Sequence, residues 1–186
     1  MSTGSLLLHP ADPSTAPDAD RVLNALKTTG LAGAPMERID NAWLAGEQFL
    51  QSVTFMGCSP FIELEPAGDD GEDFCFIRLH IFQTPQLIFG RLTRPPKCPH
   101  CKKPLLHQPG DIARMLKAGE TADLECARCK KPSSARDVLW RRDAGVGRVF
   151  VEITSIFPGE AVPVGGFMQQ FEQLTGSPWK YFYISR

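Results

Sequence analysis

The sequence predicts an α+β fold: a mostly antiparallel or mixed sheet, helices on one face, and an inserted metal-binding segment. Three observations carry this. Stretches such as "FCFIRLHIF" and "RVFVEITSIF" alternate in polarity, as half-buried strands do. Most strand candidates are joined by short turns rather than by the helical crossovers that parallel pairing requires. Helical periodicity appears only in a few separate segments. With 186 residues, 42% of them hydrophobic, and twelve Phe, the chain can bury one core and carry a small appendage.

Residues 1–17, rich in Pro, Ser, Thr and Ala, read as a flexible tail. From Asp18 to Thr29, Val22, Ala25, Leu26 and Thr29 follow helical spacing, with Asp18 or Asp20 as cap and Gly30 as stop. A second helix is expected over Asn41–Ser52, where Trp43, Leu44, Phe49, Leu50 and Val53 fall near one side. "TFMGCSPFIELEP" predicts a bend at Cys58 and a short strand over Phe61–Glu65, and "AGDDGED" a turn. In the next strand Cys75, Ile77, Leu79 and Ile81 share one face, and Phe74, Phe76, Arg78, His80 and Phe82 the other. A strand near Gln86–Leu92 is expected to pair back onto it across Thr84-Pro85. Gly145–Val149 reads as a loop, followed by a strand with Val149, Val151 and Ile153 facing opposite to Glu152 and Thr154. Val164, Phe167, Phe171 and Leu174 then set a helix that starts near Pro163 and stops at Gly176, and "WKYFYIS" a closing strand. The organisation expected is a tail (1–17), an α+β domain (18–94 plus 135–186) and an insertion (95–134), which the chain enters at Pro95-Pro96 and leaves at Pro132-Ser133-Ser134.

The insertion carries the one motif with clear chemistry, "CPHCKKPLLHQPGDIARMLKAGETADLECARC". Two Cys-x-x-Cys pairs, Cys98/Cys101 and Cys126/Cys129, can each aim two sulfurs at one point, and two facing pairs close a tetrahedral sulfur site. The spacing is similar to that of zinc ribbons and zinc knuckles. That resemblance covers residues 98–129 and implies one structural Zn2+ held by Cys98, Cys101, Cys126 and Cys129. A rubredoxin-like iron centre and a redox dithiol are the other readings. No Phe, Tyr or Trp occurs between Pro95 and Leu139 to pack an iron site, and a dithiol needs only one pair. His100 and His107 read as surface residues, and "PGDIARMLKAG" as a short helix capped by Asp111, with Ile112, Met115 and Leu116 shielding the metal. Cys58 and Cys75 read as small buried hydrophobes.

Charge is uneven. Arg91–Arg142 holds thirteen Lys/Arg against five Asp/Glu, a formal +8, and the remainder seven against sixteen, a formal −9. The favoured reading is a non-enzymatic interaction or assembly factor that presents a basic zinc ribbon to an acidic protein surface through Arg94, Lys97, Lys102, Lys103, Arg128, Lys130 and Lys131. Nucleic-acid binding by the same ribbon is the alternative. It lacks the interleaved aromatics on which single-strand binders stack bases, although phosphate contact needs none. A third reading is an enzyme with a site on the sheet, using Cys58, Arg78 or His80. No nucleophile elbow, zinc-protease helix, P-loop or dinucleotide fingerprint is present. The lack of a signal-like leader or long apolar run predicts a cytoplasmic protein that does not enter a membrane.

Overall fold

Alternation along one long strand sets the frame of the molecule. In the computed structural model, which describes residues 4–56, 62–66, 74–118 and 124–186, β6 (Ala144–Ile156) sits inside a six-stranded sheet. Its neighbours are β5 (Phe76–Phe89) and β1 (Gly4–Pro10), both antiparallel to it. Beyond β5 come β3 (Ala42–Ala45) and β2 (Ala32–Pro35); beyond β1 comes β8 (Trp179–Ser185). Val149, Val151 and Ile153 of β6 face the main core together with Leu6 and Leu8 of β1 and Ile77 and Leu79 of β5. Helices α1 (Ala19–Thr28) and α4 (Gly165–Thr175) cover that face through Val22, Ala25, Leu26, Phe167 and Phe171. Asp18 caps α1 by accepting from Arg21 N–H, and Gly176, in the left-handed region at φ 75°, ends α4. A short helix α2 (Phe49–Ser52) leads into β4 (Val53–Phe55), which pairs with β7 (Ala161–Pro163) in a separate two-stranded sheet. Helix α3 (Pro109–Lys117) lies in the cysteine-bearing lobe. Among the described residues all ladders are antiparallel, and the class is α+β. Among the described residues no helix is long and apolar enough to cross a membrane.

Several expectations are corrected. The expected flexible tail contains β1, whose seven residues are all buried between β6 and β8. Leu6, Leu7 and Leu8 supply enough apolar surface to hold it there, outweighing the Pro/Ser-rich stretch behind. The helix expected over Asn41–Ser52 splits into a strand and a single helical turn: Ala42, Trp43 and Leu44 of Ala42–Ala45 pair with Arg78, Ile77 and Phe76, and only Phe49–Ser52 is helical. Asn41, at φ 53°, makes the turn that starts it. The strand expected to pair back across Thr84-Pro85 instead continues β5. The register slips between Ile81↔Val149 and Gln86↔Gly147, so a bulge absorbs Pro85 and both halves pair with β6. Gly145–Val149, expected as a loop, is the first half of β6.

Ile62–Pro66 form no strand, though Ile62 and Leu64 pack on the main core. The bend at Cys58 and the turn at 67–73 lie outside the described residues. Cys75 is buried in the core as expected, and burial pushes its thiol up to about 12.

Candidate metal centre

The four cysteines meet because two short turns have the same construction. In the first, Cys98 N–H donates to the Lys103 carbonyl (2.8 Å) and Lys102 N–H donates to the Cys98 carbonyl (3.0 Å). In the second, Cys126 N–H donates to Lys131 (3.2 Å) and Lys130 N–H to Cys126 (2.8 Å). Lys102 and Lys130, each directly after the second cysteine of its pair, hold φ 60° and 57°. Left-handed backbone costs a non-glycine residue about 1–2 kcal/mol, so both turns store strain at equivalent positions. Cys98 Sγ lies 3.8 Å from Cys129 Sγ and Cys101 Sγ 3.6 Å from Cys126 Sγ, with all four sulfurs within 4.8 Å of one another. A tetrahedron with metal–sulfur bonds of about 2.3 Å has edges of about 3.8 Å. The contacts are far longer than a disulfide bond of about 2.05 Å. The cluster can hold a metal ion.

Backbone dipoles prepare the sulfurs as ligands. The N–H groups of Cys101 and His100 point at Cys98 and hold its thiol below the ordinary range against the opposing effect of burial. Those of Cys129 and Arg128 bring Cys126 down to about 6. At Cys129 the Lys131 N–H acts the same way, but burial and the neighbouring cysteines outweigh it and the thiol rises to about 11. One sulfur of each turn is thus drawn toward the thiolate form.

The surrounding lobe shares its core with the sheet. Cys98 and Cys126 are buried with Leu105, Ile112, Leu116, Leu124 and Val138, and this cluster runs into Leu87 of β5 and Val146 of β6. Helix α3 lays Ile112 and Leu116 on it. Its N-cap is Gln108 rather than the expected Asp111; the Asp111 carboxylate accepts from Gln108 N–H at 3.2 Å, the reciprocal half of a capping box. His100 is exposed, with Nε2 3.1 Å from the Pro132 carbonyl, bridging the first turn to the chain after the second. Neither it nor His107 belongs to the sulfur cluster.

Around the cluster the basic residues separate by exposure. Lys102, Lys103, Arg128, Lys130 and Lys131 are exposed, while Lys97 is half-buried and its backbone pairs with Leu139. Lys102 Nζ donates to the Pro99 carbonyl at 2.7 Å, Lys130 stands 3.8 Å from Glu125, and Arg94 pairs with Asp143 at 3.2 Å.

On the sheet face away from the helices a second polar group assembles. The buried Glu152 carboxylate accepts from Ser5 Oγ (2.7 Å) and Arg186 Nη2 (2.6 Å), and lies 2.7 Å from His80 Nε2. Burial alone would raise its pKa, but these partners hold it near 2. The sequence singles out His80 but gives no role to Ser5, Glu152 or Arg186; the signal that could find them is a carboxylate in the middle of an otherwise apolar strand, which must be paired to be buried. Arg78 places its guanidinium 5.4 Å from the Phe76 ring, and Cys58 lies outside the described residues. Compared with known proteins, the chain matches no family model, no curated protein and no solved structure.

Proposed function

We propose that the protein is a non-enzymatic zinc-binding interaction factor whose cysteine lobe presents a basic surface to an acidic protein partner. The observation that carries this is the convergence of two matched turns on four sulfurs, with Lys102, Lys103, Arg128, Lys130 and Lys131 exposed on those same turns. Zn2+ suits a closed set of four thiolates because its filled d shell imposes no competing geometry. Such a site leaves no open coordination position for chemistry, so its contribution is structural. Binding of about 10–16 kcal/mol would hold together a lobe with few large apolar side chains. Arranging five cations on the outside of that lobe, against an otherwise acidic chain, suits recognition of negative charge.

The test has two parts. Purified protein should contain one zinc per chain by mass spectrometry of its metals, and Cys126→Ser should lose it. Lys102→Glu/Lys103→Glu should keep zinc yet abolish capture of an acidic partner. The same charge reversal is read by fluorescence polarisation against single- and double-stranded DNA and RNA at low and physiological salt. Steeply salt-dependent binding there would replace the protein partner with nucleic acid. Protein free of zinc after expression in zinc-supplemented medium would sink the metal reading.

A further inference from the structure

A cleft lies where the cysteine lobe meets the end of the sheet. Arg136 and Trp140 line it from the lobe side, His9, Lys180 and Tyr181 from β1 and β8, and Arg142 from between them. Two of these residues carry a buried polar atom with no hydrogen-bond partner, Trp140 Nε1 and His9 Nδ1. An indole N–H can only donate, so what satisfies Trp140 must be an acceptor. Leaving such a donor buried and unpaired costs about 1–3 kcal/mol.

His9 is 2% exposed and held by aromatic contacts, stacked on Phe150 at 5.6 Å and edge-on to Phe182 at 5.4 Å. Burial first, and then the charge of Lys180, bring its pKa down to about 3 against the opposing effect of the Val146 and Pro10 backbone, so the ring adds no charge of its own to the cleft. The charged side chains that line the cleft are all basic: Arg136, Arg142 and Lys180. Asp12 is the carboxylate that acts on Lys180. Arg142 sits in the left-handed region at φ 63°, its guanidinium 4.9 Å from the Tyr181 ring and donating to Tyr181 Oη at 3.1 Å. Its guanidinium thus lies along an aromatic wall of a concave spot whose charged lining is basic.

We propose that this cleft binds a small organic anion, whose carboxylate or phosphate oxygens accept from Trp140 Nε1–H and face Arg136, Arg142 and Lys180. The apolar part of such a molecule would lie along Tyr181 and Phe182. The site stands apart from the identity of the metal and of the lobe's partner.

Metal-loaded, 15N-labelled full-length protein is titrated separately with inorganic phosphate, benzoate and chloride at constant ionic strength. The Trp140 indole resonance is identified by its loss in Trp140→Phe. A saturable shift of that resonance is expected with benzoate or phosphate and not with chloride; the anion that saturates tells carboxylate from phosphate. Arg142→Gln/Lys180→Gln should weaken the binding at least tenfold. Should that variant fail to fold, the exposed Arg136→Gln carries the same test. No saturable shift with either anion, a shift that chloride reproduces, or affinity unchanged in the folded variant would overturn the proposal.

Discussion

Glu152 shows how one side chain can be expensive to bury and still belong where it is. A carboxylate in the interior is tolerated only with donors on its oxygens, and here they come from β1 (Ser5), β5 (His80) and the residue after β8 (Arg186). The group therefore ties together strands far apart in the chain. Glu152→Gln keeps the shape but removes the charge that all three partners address. Urea denaturation should show it destabilised by about 2–4 kcal/mol, and a loss under 0.5 kcal/mol would mean that the hub is incidental to stability. The left-handed lysines after Cys101 and Cys129 are a second residue-scale device, closing the two turns that aim the sulfurs.

At the scale of elements, β6 depends on a missing side chain. A Cβ on Gly145 would fall 2.8 Å from His9 Nε2 and closer still to Phe182. Both rings are buried, so neither can step aside. Gly145→Ala should cost roughly 1–3 kcal/mol through overpacking, read as a lowered thermal midpoint; an unchanged midpoint would show that the rings can shift. The same element explains what was legible in the sequence. "RVFVEITSIF" reveals itself by alternation, but "AGVG" before it has no side-chain pattern, and its strand character comes from pairing with Gln86–Phe89. The stretch around Trp43 failed for a related reason. Its apolar residues fit helical spacing, while pairing with β5 decides the outcome. Helix α1 was legible because its cap and its apolar stripe lie within the segment, and α4 because its stripe and its stop at Gly176 do. The cysteine pairs were legible because ligand spacing is local, whereas the Glu152 hub and the anion cleft exist only once distant strands meet.

Across the whole molecule, two buried groups make stability depend on pH. His9, with a pKa near 3 in the fold, stays neutral while the unfolded chain takes up a proton below about 6.5. Stability is therefore lost as pH falls from about 6.5 toward 3, at about 1.4 kcal/mol per pH unit. Glu152, held near 2, contributes fully above its unfolded value of 4.5 and loses that contribution as pH falls toward 2. Urea midpoints should decline between pH 7 and 5 and more steeply below 4.5. His9→Gln should abolish the first decline, which separates it from acid release of metal; a wild-type midpoint flat from pH 7 to 5 would contradict this account. Architecture also fixes an order of events in time. β1 precedes every other element in the chain, yet its two partners are β6 and β8. During synthesis its leucines must wait, unpaired and sticky, while some 140 residues emerge before β6 is available. This side of the sheet closes only when a segment made early meets partners made about 140 residues later, so the nascent chain remains a client for chaperones in between.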